Sequence, residues 1–430
     1  MFISIFSGRE KGDGIHMRHQ YMTDVFWKRM LQRGTDAIVD LYAKYFVADI
    51  SRVQTLPSSV LRTSAGKHAT SPQQSQLNQI LFITLGHMGD ALIASYAFPL
   101  IRRRYPDAAI DVLAGEWCAP VLENNPYIRD HIIFDHIRVN RSDAAIIKKF
   151  LRHRTTARSA LKTIRSRKHD CSIEGRVHYP NGTLLSYRGD ISRRIGFGSG
   201  AYGALLTDEV AFPSGTNFHL LEALAEELKR IGIEASLDSF QPYFTTAIHS
   251  EKRPHPFAGY FAKPYIILHP ESGNPGRTVR NEFWLRVVSD ILRLTDDTVI
   301  VCGTTPSSSE LSSVLSSTLD GGKERIINAS GKLTLDEFFI LSSHARAALT
   351  LESFAAHLCA INCETISFFR KGSGALFFPF PNRKSTVIHD HSASEGVQLH
   401  PKIVNHFVSE IDSEETWKFV VTTIRSLAHR

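Results

Sequence analysis

The chain has 430 residues, room for two domains and an extension at roughly 100–200 residues per domain. Apolar residues make up 43% and charged ones 22%, the balance of an ordinary globular protein rather than a disordered or fibrous one. A net charge of +7 admits an anionic partner (nucleic acid, phosphorylated glycolipid or nucleotide sugar) without choosing among them.

Five cysteines, Cys118, Cys171, Cys302, Cys359 and Cys363, are scattered and form no Cys-x-x-Cys pair. That argues against a metal finger and for reduced thiols in a cytoplasmic protein. The apolar run at residues 2–6 is broken by Arg9, Glu10 and Lys11, too soon for a signal peptide. No run of about 18 apolar residues occurs, so no transmembrane segment is expected.

In chain order, residues 1–78 read as an extension and linker. Residues 21–50 carry Val25, Phe26, Met30, Leu31, Ile38, Leu41, Tyr42 and Phe46 at helical spacing, interrupted near Gly34. Two short amphipathic helices are expected, packed on the body or lying in a membrane interface. Residues 58–76, rich in Ser, Thr, Gln and Pro, read as a linker.

Residues 81–92 read as a buried strand, a turn through Gly86, Gly89 and Asp90, and a helix continuing through Tyr96, Ala97 and Leu100. Residues 110–113 and 132–134 read as strands and residues 121–125 as a helix closed by Pro126. Between Arg138 and Lys168 stand eleven Lys or Arg and one acid, Asp143. The helix at residues 144–165 is therefore a solvated basic face or one that meets an anionic membrane or phosphorylated acceptor. Residues 170–174 read as a strand and 220–233 as an amphipathic helix. Residues 234–262 contain several prolines and are taken as the interdomain linker.

The alternation then repeats: strands at 265–268, 298–301, 326–327, 347–351 and 365–369, with helices at 282–294, 335–342 (Thr334 as N-cap) and 414–428. The organisation expected is α/β: an extension over 1–78, a Rossmann-like domain over 79–250 and a second over 251–430. Ligands bind outside the carboxyl ends of strands in such sheets. The candidates are thus residues 86–90 in the first half, and Ser272, Gly273, Gly303, Thr304, Thr305, Glu352 and Ser353 in the second. Hydroxyls and backbone N–H groups at helix starts suit phosphate, with Arg277 and Arg280 nearby to neutralise it. Asp90 suits a general base, although the same position suits a helix cap. His357, on an apolar helix, reads equally as a core histidine.

Taken together, these segments resemble the glycosyltransferase family 9, the heptosyltransferases of lipopolysaccharide core assembly. In the first half the resemblance rests on Gly89-Asp90-Ala91-Leu92, Arg104-Tyr105-Pro106-Asp107, Asn125-Pro126-Tyr127-Ile128 and Arg194-Ile195-Gly196-Phe197. In the second it rests on His269-Pro270-Glu271-Ser272-Gly273, on Arg277 through Trp284, on the Asn328–Leu335 stretch, and on Glu352-Ser353-Phe354-Ala355-Ala356-His357-Leu358-Cys359-Ala360. It covers about residues 79–390. Departures cluster in the second half: the family's Asp is Glu352, its Gly-Pro is Phe354-Ala355, its Lys is Arg277, and its Trp-Pro pair is Val279-Arg280.

The resemblance implies a GT-B fold and an inverting, metal-independent transfer, with no cofactor. It implies Asp90 as base, with His87, Gly89 and Arg194 on the acceptor side. It implies donor binding by Ser272, Gly273, Arg277, Gly303, Thr304, Glu352, Ser353 and His357. The expected partners are a nucleotide-sugar donor (ADP-heptose or similar), a lipid-linked or other glycan acceptor and an anionic membrane surface, with no nucleic acid. The expected location is cytoplasmic, peripheral on the inner membrane face. Two rivals are a protein O-heptosyltransferase, disfavoured by the lack of paired cysteines, and a non-catalytic relative with an altered donor pocket. A dinucleotide oxidoreductase is distant, because no Gly-x-Gly-x-x-Gly follows the first strand.

Overall fold

The structure, a computed structural model, describes residues 76–177, 182–198, 203–211, 217–246, 254–319, 321–370 and 374–428. The chain divides into two units, Met1–Ser71 and Pro72–Arg430, and the described residues all belong to the second. The amphipathic helices expected within residues 21–50 lie outside the described residues.

Two parallel sheets account for the strands. The first contains β1 (Gln79–Thr84), β2 (Ala109–Ala114), β3 (Asp130–Ile133), β4 (Cys171–Glu174), β5 (Arg193–Phe197) and β6 (Asp208–Val210), ordered β3-β2-β1-β4-β5-β6. The second contains β7 (Tyr265–His269), β8 (Thr298–Val301), β9 (Ile326–Asn328), β10 (Ala347–Leu351), β11 (Glu364–Phe369), β12 (Ser385–His389) and β13 (Ile403–Phe407). Its order, β13-β12-β11-β10-β7-β8-β9, is the same doubly wound arrangement with one strand added. β1 registers on both sides, with Ile80 opposite Ile110 and Cys171, and β10 does the same between β7 and β11. The strand order therefore reverses between β1 and β4, and again between β7 and β10. These two crevices are where this architecture places ligands.

Helices cover the sheets. In the first half they are α1 (Met88–Ser95), α2 (Phe98–Arg104), α3 (Ala119–Leu122), α4 (Ile146–Arg167), α5 (Thr183–Arg188) and α6 (Leu220–Arg230). In the second half they are α7 (Asn281–Leu294), α8 (Pro306–Thr318), α9 (Leu335–His344), α10 (Phe354–Asn362) and α11 (Glu414–Ala428). The helix expected to run past Tyr96 is two helices. Pro99, in the first turn of α2, has no N–H for an i−4 bond and its ring blocks the preceding turn, so the chain restarts there. Helix α8 and strands β12 and β13 escaped the sequence reading. The serine-rich α8 has little apolar periodicity, and β13 lies at the sheet edge, half-buried after its first residue.

The strands are buried because both faces are covered: every β10 residue and all but the first of β1 are inaccessible. Each Leu or Ile so buried contributes about 1.5–3 kcal/mol. One apolar cluster runs through both halves, from Phe82 and Phe98 to Leu358 and Phe378. Polar ties cross as well. His219, at the start of α6, bonds through Nε2 to the Phe378 carbonyl at 2.8 Å, and Asn382 Nδ2 donates to the Pro242 carbonyl at 3.0 Å. These bonds tie the two halves together.

Candidate active site

Asp90 stands in the first turn of α1, directly after β1. Its Oδ2 accepts the backbone N–H of His87 at 2.8 Å, so the residue caps the helix. The cap fixes the carboxylate, while a base needs only one free oxygen, so the two readings of Asp90 are compatible. The turn is shaped around it. A Cβ at Gly86 would lie 2.5 Å from both Cβ and Cγ of Asp90, so only glycine lets the carboxylate fold back over the strand end. Trp117 Nε1, after β2, donates to the Gly86 carbonyl at 2.8 Å, and Arg176, after β4, donates to the Leu85 carbonyl, which pins the turn from both sides.

Gly89 faces the second half. A Cβ there would meet the His357 ring at 3.2 Å and the Phe354 backbone at 4.0 Å. The Asp90 turn thus packs against the start of α10, next to the Glu352-Ser353-Phe354-Ala355 segment. His357 is buried and its Nδ1 has no hydrogen-bond partner among the described residues, nor does the Ser353 hydroxyl. His357 is therefore not a fully satisfied core histidine, and it is the Cδ2–Nε2 edge of its ring that faces the Asp90 turn at Gly89. Burial, then the nearby His219, holds the His357 ring well below its usual range, at about 4. His87 is also lowered to about 4, by burial and then by Arg141. Both rings are neutral at pH 7.

At the second crevice, Arg277 forms an ion pair with Glu352 at 2.9 Å, joining the β7 turn to the β10 turn. Ser272 Oγ donates to the Glu352 carbonyl at 2.8 Å and bridges the same two turns. Gly273 is closely approached by Arg141, which arrives from the first half: a Cβ at Gly273 would stand 2.5 Å from its Nη1, a contact the flexible side chain could relieve by shifting. Arg141 is lowered by burial, then by Arg277 and Arg176, and the Asp90 charge acts on it in the opposite sense. Three guanidiniums, Arg141, Arg176 and Arg277, therefore surround the space near Asp90, against the carboxylates of Asp90 and Glu352. An anion placed there meets more positive charge than negative.

The structure brings together Asp90, His87, Gly89, Ser272, Gly273, Arg277, Glu352, Ser353 and His357. It does not bring in Arg194, Gly303, Thr304, Thr305 or Arg280. Arg194, on the acceptor side by resemblance, lies near the amino end of β5. It donates to the Leu205 carbonyl at 2.5 Å and to the Ile191 carbonyl, and lies over Tyr187. Those bonds fasten loops at the opposite end of the sheet from the crevice. Gly303 and Thr304 follow β8 as expected and lead into α8, but the anion site there is occupied. The Glu271 carboxylate accepts the backbone N–H groups of Thr304 and Thr305, each at 2.8 Å, and the Thr305 hydroxyl at 2.6 Å. Burial raises Glu271, but those bonds and one from Ser308 outweigh it and leave the carboxyl below its usual range. Arg280 serves elsewhere: its Nε pairs with Asp412 at 2.8 Å at the start of α7, and Val279 packs in the second core.

Arg141, Arg176 and Glu271 were missed as site residues. Arg176 stands two residues past β4, in a strand-end turn like those that hold Asp90 and Glu352. Arg141 is hidden in the basic run, and its role becomes visible only when the two crevices face each other.

No family model matches the chain. It is 23% identical over 286 residues to lipopolysaccharide heptosyltransferase 3 of Escherichia coli strain K12, covering 65% of this chain and 79% of that protein. Among solved structures, a glycosyltransferase family 9 protein from Veillonella parvula superposes with a TM-score of 0.56 at 16% identity, covering 73% of this chain and 87% of that one. The E. coli ADP-heptose lipopolysaccharide heptosyltransferase II gives 0.56 at 18%, covering 82% and 98%. An E. coli heptosyltransferase determined with ADP gives 0.53 at 12%, covering 81% and 99%. The chain is thus similar in sequence to a lipopolysaccharide heptosyltransferase and shares the two-domain GT-B fold of these glycosyltransferase structures.

Proposed function

We propose that the chain is a glycosyltransferase that moves a sugar, heptose in the first instance, from an ADP-sugar to a lipopolysaccharide-core or related glycan, with inversion and without a metal. The observation that carries this reading is the placement of Asp90. It stands at the mouth of β1, pressed through Gly89 against the His357 end of α10 and overlooked by three arginines. A base and an anion site from two halves face one space. The relatives support the donor class, since one E. coli heptosyltransferase structure holds ADP and another an ADP-2-deoxy-2-fluoro heptose.

In this mechanism the acceptor hydroxyl attacks the anomeric carbon of the donor sugar. The new C–O bond forms as the bond to the diphosphate breaks, and Asp90 takes the hydroxyl proton. The negative charge that develops on the leaving diphosphate is met by Arg277, Arg141 and Arg176 and by the open N-terminus of α10. Glu352 holds a donor hydroxyl, oriented by its ion pair to Arg277. The neutral His357 and the Ser353 hydroxyl supply the remaining polar contacts. The residues 79–250 and 251–430 act as acceptor and donor domains.

Calorimetric titration with ADP-, UDP- and GDP-sugars tests the reading. Binding of an ADP-sugar in preference to the others is expected. Binding of none contradicts it and favours a non-catalytic relative, the alternative suggested by Phe354 and by the Glu271-filled helix start.

A further inference from the structure

We propose that α4 is a lipid-surface helix, which seats the first half of the molecule on an anionic bilayer with its apolar end inserted and its basic stripe on the headgroups. Few large apolar side chains are exposed among the described residues, and three of them stand on the first two turns of this helix. Ile146, Ile147 and Leu151 are 70%, 60% and 54% exposed. Continuing Ile147 and Leu151 along the same face at helical spacing gives Arg158, Lys162 and Arg165, all exposed. The opposite face, with Thr156, Ala160 and Ile164, is buried against the body.

The basic residues of this segment divide into two sets. Arg152, Arg167 and Arg165 are used internally: Arg152 pairs with Asp135 at 2.6 Å, Arg167 with Asp111 at 2.9 Å and Asp130 at 2.5 Å, and Arg165 donates to the Arg188 carbonyl at 2.9 Å beside Asp190 at 4.0 Å. These pairs fasten the helix to the sheet. Lys148, Arg158 and Lys162 take part in no ion pair among the described residues, and α4 contains no acid. An outward face with apolar anchors at one end, cations along the rest and no acid is complementary to anionic headgroups over an acyl boundary. It is poorly suited to a protein partner with a mixed surface. Arg141, which touches Gly273 at the cleft, is five residues before the first residue of α4. The inserted end is therefore one short loop from the site, which suits an acceptor anchored in the same bilayer.

The test is flotation of the full chain with vesicles of phosphatidylglycerol and phosphatidylcholine, or of phosphatidylcholine alone, without any sugar donor. Wild type should float with the anionic vesicles, less so at high salt, and not with the neutral ones. The I147S/L151S double variant, on the exposed face and with an unchanged thermal melt, should lose at least about tenfold in vesicle affinity. R158Q/K162Q should lose affinity and salt sensitivity together. Both variants should keep wild-type transfer to a soluble, lipid-free acceptor. Wild type that ignores anionic vesicles overturns the assignment. So do variants that float as well as wild type, or a face that instead pairs two copies into a dimer by sedimentation. Because vesicle binding needs no donor, its failure is separable from failure of the transferase reading.

Discussion

At the scale of single residues, the site depends on two small or acidic positions whose effects are opposite in sign. Gly86 makes room for Asp90, and Gly86→Ala forces a Cβ to within 2.5 Å of its carboxylate carbons. Turnover should fall at least about tenfold while donor affinity stays within about twofold, because the arginines belong to other turns. Turnover equal to wild type would show that the position of Asp90 does not matter. Glu271 does the reverse, filling an anion site with the protein's own carboxylate. Glu271→Ala should weaken the start of α8, lowering stability by about 1–2 kcal/mol, yet tighten binding of ADP several-fold as the freed N–H groups and Arg277 act together. Unchanged ADP affinity would mean that the donor phosphates never approach this helix. Asp90 and Glu352 were recognisable in the sequence because each follows a run of strand residues. Glu271 also follows a strand, but its role was not legible, because its partners Thr304 and Thr305 are more than thirty residues away in the chain.

At the scale of elements, the hydrophobic runs located most strands and helices because both faces of the sheets are buried, leaving short continuous apolar segments bounded by turns. Where burial is one-sided, as at β13, or the helix is made of serine, as in α8, the pattern fades. A pair of buried carboxylates was also invisible in sequence. Glu174 ends β4 and Glu227 lies on the inner face of α6; both are inaccessible. Burial holds Glu174 up at about 7, despite bonds from Gly182 and Thr183. Burial, then the Glu174 charge, holds Glu227 well above its usual range, and neither of its oxygens has a partner among the described residues. The folded state therefore binds protons more tightly than the unfolded chain. The contribution of this pair to stability is fully present below the ordinary carboxyl range and is lost as pH rises through about 7, where Glu174 ionises. Glu227→Met should raise stability above about pH 7 by about 1–3 kcal/mol and flatten the pH dependence of denaturant unfolding. A steeper dependence would place ionised, not protonated, carboxyls in this core.

At the scale of the whole molecule, the sequence could name the two sets of strand-end residues but not that they meet. Their meeting rests on the shared apolar cluster and on contacts such as His219 to Phe378 and Gly89 to His357, each between residues far apart in the chain. The three arginines gather for the same reason, two coming from the first half and one from the second. The central claim is that Asp90 removes the acceptor proton in this shared space. Asp90→Asn tests it directly, because the amide keeps an oxygen to accept the His87 N–H and so keeps the cap and the fold. With donor and acceptor saturating, turnover should fall by about 10²–10⁴, with the thermal melt and donor affinity unchanged. An Asp90→Asn protein that binds donor and turns over at the wild-type rate would contradict the account.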